Sequence, residues 1–389
     1  MHSQTNENIT EKLLNYFKNR EENILTMIRT LVETESPSYD ENGSHAVVSL
    51  LADEAQKIES VKSIERILVE GYGEHLIIHA FGEDKTNDAV MLLGHTDTVH
   101  PRGTLEARPY RMEKNRVYGP GIFDMKANCV LVLEVLRALT DLNLKPEREI
   151  IILLSCDEEV GSQTGRALVE KEAGRARACL VLEPSAPGGR VKTGRKGTGM
   201  FTMKTHGIPA HAGLDPEKGA SAVLELAQQV KRLHEMTNFE IGTTVSVGVF
   251  HGGTTSNVVP ENAYAEIDVR FKTMDEAARI EKEILSSKPF DERVKIEITG
   301  GINRPPLERD EKVVALYEKA KAVASSFGYE LGETQVGGAS DGNFVAALGV
   351  PVLDGLGVSG DGAHAVHEHI IADDIAPRAA LIAGLILDI

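Results

Sequence analysis

The stretch VMLLGHTDTVHP, residues 90–101, decides the fold. Its first half is apolar at every position up to Gly94, which suits a strand covered on both faces. Its second half sets His95 and, two residues on, Asp97 where such a strand must end. Further short apolar runs occur, several of them unbroken in the same way: HLIIHAF (75–81), EIIILLSC (149–156), ACLVLE (178–183) and VPVLDGL (350–356). Helical segments lie between them, KANCVLVLEVLRAL (126–139) foremost. A polar helix is expected over about residues 9–31, and another over SHAVVSLLADEAQKI (44–58) with Ser44 as its N-cap. Strands alternating with helices predict an α/β domain with a mostly parallel central sheet.

From about 194 to 303 the rhythm changes. TGMFTMKTHG (198–207) is strand-like and PEKGASAVLELAQQVKRLHEM (216–236) helical. TTVSVGVF (243–250) and AYAEIDVRF (263–271) alternate as half-buried strands do, MDEAARIEKEILSS (274–287) is helical, and RVKIEITG (293–300) is a strand. The order β-α-β-β-α-β predicts a ferredoxin-like α+β unit. It is inserted into the α/β domain, with GINRPPLERD (301–310) as the return linker. The expected division is 1–193 and 304–389 for one domain and 194–303 for the other.

The 389 residues are enough for two or three domains, and 41% hydrophobic with 26% charged residues is ordinary for a globular chain. The 42 Lys and Arg against 59 Asp and Glu give a formal charge of −17, the wrong sign for a phosphate-binding surface, so no nucleic-acid partner is expected. No apolar h-region occurs in residues 1–23 and no apolar run approaches the ~18 residues of a membrane span, so no membrane partner and a cytoplasmic location are expected. Cys129, Cys156 and Cys179 sit in apolar runs without C-x-x-C spacing, as buried reduced thiols do.

In open α/β sheets ligands bind beyond the carboxyl ends of the strands. Here His95-Thr96-Asp97, Asp157-Glu158-Glu159 and Glu183-Pro184-Ser185 each follow an apolar run, and GVSGDGAHAVHEH (357–369), with His364, His367 and His369, follows the last. The glycine-rich turn YGPGIFDMK (118–126) sets Asp124 just before a helix. A set of this kind suits two Zn²⁺-class ions held ~3.5–4 Å apart, with one bridging carboxylate and one His and one carboxylate for each ion. His95, Asp124, Glu159, Glu183 and His364 supply that count, with His367 as the alternative imidazole. Asp97 would orient His95, since a metal-bound His usually gives its other N–H to a carboxylate. Glu158, beside a ligand, is placed to move a proton between water and a leaving nitrogen. A second mechanistic class is also written in the chain: GASDG (338–342) fits the G-x-S-x-G elbow of serine hydrolases, with Ser340 followed by Asp354 or Asp361 and His364 in the right order. It leaves the other acidic motifs unexplained.

GHTDTVHPRG, VYGPGIFDMK, DEEVGS, LEPS, GIPAHAG, SNVVPENAYAEIDVRF and GAHAVHEHI resemble, in order and from about residue 20 to 389, the motifs of the M20 metallopeptidases. The likeness is strongest to the glutamate carboxypeptidase (carboxypeptidase G2) branch. The resemblance implies a zinc-peptidase-like catalytic domain with an inserted lid or dimerisation domain, and a homodimer. It implies two Zn²⁺ per subunit, with Co²⁺ or Mn²⁺ as substitutes: His95, Glu183 and the bridging Asp124 for one, Glu159, His364 and Asp124 for the other. The spacing of His364 and Glu368 favours His364 over His367. Glu158 would be the general base, Asp97 the orienter of His95, and His211 the lid histidine that reaches the neighbouring site, helped by Asn257. Arg270 would pair with a substrate carboxylate, as its bidentate fork suits. The implied activity is release of a C-terminal amino acid such as glutamate, with an N-acyl amino acid deacylase or a dipeptidase as alternatives. Two departures stand out. Ala127 and Asn128 follow Lys126 where many relatives have two glycines, which alters the helix start but no ligand. KTGRKGTGMF (192–201) resembles members outside the glutamate branch.

Overall fold

The computed structural model describes residues 2–82 and 88–389, the first seven of these as backbone. The chain forms two compact units: Met1–Gly194 with Arg309–Val336 and Ser340–Ile389, and Arg195–Glu308 with Gly337–Ala339.

The first unit is built on a six-stranded sheet in the order Val61–Val69, Gly73–Ala80, Ile150–Ser155, Ala89–His95, Ala176–Val181, Val352–Leu353. The two pairings at the Val61–Val69 edge are antiparallel and the other three parallel. Ala89–His95 lies among the parallel strands and is buried at every position, which is why its sequence shows no alternation. Helices Ala127–Asp141 and Ile375–Asp388, apolar nearly all round, pack into the same core as Leu92, Ile152 and Leu180. Truncating the fully buried Leu92 to Ala would cost ~2–5 kcal/mol, from lost burial and the cavity left behind. Cys129, Cys156 and Cys179 are buried and free. Among the described residues no helix is long and apolar enough to cross a membrane.

Three local expectations for this unit are corrected. The N-terminal helix is two, His2–Asn19 and Glu21–Glu33, with a turn at Arg20, whose guanidinium is drawn onto Glu134 at 2.6 Å. The next helix, Glu41–Gln56, is capped not by Ser44 but by Asp40, whose carboxylate accepts the Gly43 N–H at 2.9 Å. Ser44 lies inside the helix, and its hydroxyl accepts the Glu74 N–H at 3.0 Å. Of residues 350–356 only Val352–Leu353 forms a strand.

The second unit has a four-stranded antiparallel sheet ordered Thr244–Gly252, Asn262–Phe271, Gly197–His206, Lys295–Arg304. Helices Ala222–His234 and Met274–Leu285, capped by Ser221 and Thr273, cover one face around Phe201, Leu226, Ile267 and Ile280. This is the ferredoxin-like order of elements. The last strand runs to Arg304, through residues assigned above to the linker, because Gly301 and Ile302 still pair with Met200 and Gly199.

Candidate functional site

The carboxyl ends of the parallel strands in the first unit gather one polar cluster. His95 is the last residue of its strand, Glu158 and Glu159 form the short turn Glu158–Val160 after Ile150–Ser155, and Glu183 follows Ala176–Val181 by two residues. Asp124 lies in the turn Ile122–Lys126, with non-helical backbone (φ −116°, ψ 92°), before helix Ala127–Asp141. His364 takes the left-handed conformation, φ 64°, in the loop beyond Val352–Leu353.

Asp124 stands between the two imidazoles: its Oδ1 is 3.2 Å from His95 Nε2 and its Oδ2 is 3.5 Å from His364 Nε2. Each imidazole has a second carboxylate, Glu183 at 3.5 Å from His95 and Glu159 at 3.0 Å from His364. Ligand atoms of His95, Asp124 and Glu159 lie within 4.8 Å of one another, as do those of His95, Glu158 and Glu183. His367 faces Asp361 at 3.9 Å with a side chain 60% exposed, so it is His364 that joins this cluster. Glu159 Oε1 is buried and, among the described residues, has no hydrogen-bond partner. An orphaned carboxylate oxygen among imidazoles and carboxylates fits a divalent cation, and the N and O donors suit a Zn²⁺-class ion.

The charges answer one another. Burial disfavours the imidazolium of His95, but hydrogen bonds to Asp124, Asp97 and Glu183 outweigh it and hold the group well above its ordinary pKa. His364 is raised to about 10 by hydrogen bonds to Asp124 and Glu159. Burial raises Asp124, yet His364 and His95 together hold its carboxyl far below the usual range. Glu159 is pushed up, by burial first and by Asp124 next.

Asp97 does more than its spacing revealed. His95 Nδ1 lies 3.0 Å from its carbonyl and 3.3 Å from its Oδ1, so Nδ1–H points at Asp97 and Nε2 is left for the cluster. The same carboxylate accepts the backbone N–H of Glu158 and of Glu159, each at 3.2 Å, and the Ser38 hydroxyl at 2.7 Å. Behind the strand end, the His95 N–H donates to the Met125 thioether at 3.3 Å and the Cys129 thiol to the His95 carbonyl at 3.1 Å. Gly94 leaves room for this arrangement, since a Cβ there would fall 2.4 Å from Met125 Cε and push that side chain aside. Asn128 is buried and its Oδ1 accepts the Val358 N–H at 2.9 Å on the segment leading to His364. Ser340 is buried too, and its hydroxyl donates straight to Asp354 at 2.7 Å, with a carboxylate where an elbow serine would meet an imidazole.

The remaining residues singled out above lie in the second unit. His211 and Asn257 are brought together: His211 bridges to Val258, and the Ala212 N–H donates to the Asn257 carbonyl at 2.9 Å. Arg270, on the strand Asn262–Phe271, is forked onto Asp268 with both bonds at 2.8 Å. Both partners are about a third or more exposed, and such a pair contributes only ~0–1 kcal/mol.

Residues 91–388 match the model of peptidase family M20/M25/M40. Carboxypeptidase G2 of a Pseudomonas species is 29% identical over 94% of this chain and 89% of its own length. A succinyl-diaminopimelate desuccinylase of Delftia acidovorans is 28% identical over 76% of this chain and 80% of its own. Among solved structures, an aminopeptidase PepT of Bacillus cereus superposes with a TM-score of 0.76 at 22% identity, over 95% of this chain and 98% of that one, a likeness of fold. A family match across three quarters of the sequence, over a sheet that ends in this cluster, settles the affiliation: the chain belongs to peptidase family M20/M25/M40 and is a metallopeptidase-type hydrolase.

Proposed function

We propose that the chain is a dinuclear zinc-dependent amide hydrolase that releases a C-terminal amino acid such as glutamate from a small peptide or N-acyl substrate. The observation that carries this reading is Asp124, with one oxygen toward each of two imidazole–carboxylate pairs. His95, Glu183 and Asp124 would hold one ion, and Glu159, His364 and Asp124 the other. When bound, the pair would supply Lewis acidity to the scissile carbonyl and acidify the attacking water. Glu158 takes the proton from that water as the new C–O bond forms, and returns it to the leaving nitrogen as the amide C–N bond then breaks. Asp97 keeps His95 in the tautomer that presents Nε2. His211, supplied by the second subunit of a cytoplasmic homodimer and assisted by Asn257, holds the oxygen that becomes negative. A donor of that kind is worth ~3–4 kcal/mol. Arg270 exchanges its weak surface partner Asp268 for a substrate carboxylate. The likeness to carboxypeptidase G2 supports the carboxypeptidase direction. The likeness to a desuccinylase supports a second reading, N-acyl amino acid deacylation at the same centre.

The test is a screen of N-acyl amino acids and dipeptides with protein stripped by chelator and reloaded with Zn²⁺, Co²⁺ or Mn²⁺. Turnover that is lost on stripping, restored on reloading and indifferent to serine reagents is expected. Glu158→Ala should retain its metal and lose ~10²–10⁴-fold in kcat. Activity within tenfold of the unsubstituted protein discards the base. Full turnover without metal discards the reading.

A further inference from the structure

Glu368 is 3% exposed, and four donors converge on its carboxylate. Oε1 accepts the N–H of Phe123 at 2.9 Å and of Asp124 at 3.0 Å. Oε2 accepts the Gly121 N–H at 2.8 Å and meets His100 Nε2 at 2.5 Å. The Arg108 guanidinium lies 3.3 Å from His100 Nδ1 and can only donate, so Nδ1 accepts and Nε2–H donates to Glu368. Arg108 also donates to the Ala365 carbonyl at 3.3 Å. Gly121 (φ 69°) and Asp124 lie outside helical geometry, so no regular backbone ladder serves these amides and the carboxylate takes its place. Glu368 thus has one hand on the segment that presents Asp124 and stands on the segment that presents His364.

We propose that Glu368 is a positioning residue: it fixes Asp124 in register with His364, and so sets the affinity of the ion site those two share with Glu159. This rests on the dinuclear reading above. Partners one step removed from a metal ligand typically change metal affinity 10–100-fold when altered. Glu368→Gln keeps the shape but turns an amide N–H₂ toward donors, so the Asp124 turn loses its anchor.

The experiment uses the full chain dialysed against buffered free Zn²⁺, with bound metal measured per chain, and the visible spectrum of the Co²⁺-loaded protein alongside. The unsubstituted protein should bind two ions. Glu368→Gln should bind the second ion, the one shared by Asp124, His364 and Glu159, 10–100-fold more weakly, and show an altered Co²⁺ spectrum. Glu134→Gln, at another buried carboxylate paired with Arg20 and Arg137, should keep both ions whatever it does to thermal stability. A second-ion affinity and spectrum unchanged in Glu368→Gln overturn the proposal. So does equal weakening in Glu134→Gln. If Glu368→Gln does not fold, His100→Gln decides in its place: a weakened second ion supports the proposal, and an unchanged one overturns it. A chain that binds no metal at all overturns the dinuclear reading itself, and this proposal with it.

Discussion

Metal uptake should expel protons, and the site sets their number. Without metal, His95 is held well above its ordinary pKa against the opposing effect of burial, by Asp124, Asp97 and Glu183. His364 is raised to about 10 by Asp124 and Glu159. Solvent around the half-exposed His364 screens part of this attraction, but the raised value stands well clear of pH 7 and the ring is charged there. Asp124, held far below the carboxylate range, is already ionised and releases nothing. Two ions binding at pH 7 therefore release about two protons per chain from the imidazoles, and about three if the attacking water ionises as well. Glu159, pushed upward, can only add to that number. The sign follows: both imidazoles carry raised values, so protons compete below them and affinity climbs with pH, about tenfold per proton per unit, the His364 share ending near 10. Calorimetric titration of the stripped chain with Zn²⁺, in buffers of differing ionisation enthalpy, counts the protons directly. A release below one proton at pH 7, or an affinity flat between pH 6 and 8, would refute the reasoning.

Three further outcomes are expected. The stripped protein should lose stability as pH rises from 7 to 10, because the His364 contribution is complete below 6.5 and gone above about 10; a melting temperature constant over that range contradicts it. Asp97→Asn should weaken Zn²⁺ binding 10–100-fold and lower kcat together, since an amide N–H₂ would face either the Glu158 or the Glu159 N–H; chelator competition and turnover measure both, and a normal value for either one speaks against the shared role. Ser340→Ala should leave kcat within about threefold while costing ~1–3 kcal/mol of stability, as the buried Asp354 loses a donor; a hundredfold loss of turnover with metal retained would restore the serine mechanism.

The strands that build the site were legible because burial on both faces leaves an unbroken apolar run, and the donors because they follow such runs directly. His95, Asp124, Glu159, Glu183 and His364 come together from five separate segments, which single motifs hardly hint at and their combination does. Hidden from the sequence were contacts that depend on the fold closing. Asp97 looks like a partner for His95 alone, yet it also grips the backbone of residues 158 and 159, 61 and 62 positions away. Glu368 looks like a spacing marker, and its hold on Asp124 spans 244 residues. Asn128 alters more than a helix start, since it ties down Val358. Ser44 had the local signature of a cap, but Asp40 lies where its carboxylate can reach Gly43 and so takes that position. His211, Asn257 and Arg270 are surface residues of a separate unit, and no packing pattern distinguishes them from ordinary loop and strand positions.

The contact between the Met125 sulfur and the amide of His95 has a practical consequence. Met125 is one of nine methionines, has no exposed surface, and adjoins Asp124 along the chain. Its methyl group, carbon-13 labelled, is a resonance buried beside His95, which would hold one of the ions. A shift at that one signal during titration would report occupancy from inside the protein, with no chromophore, substrate or substitution required.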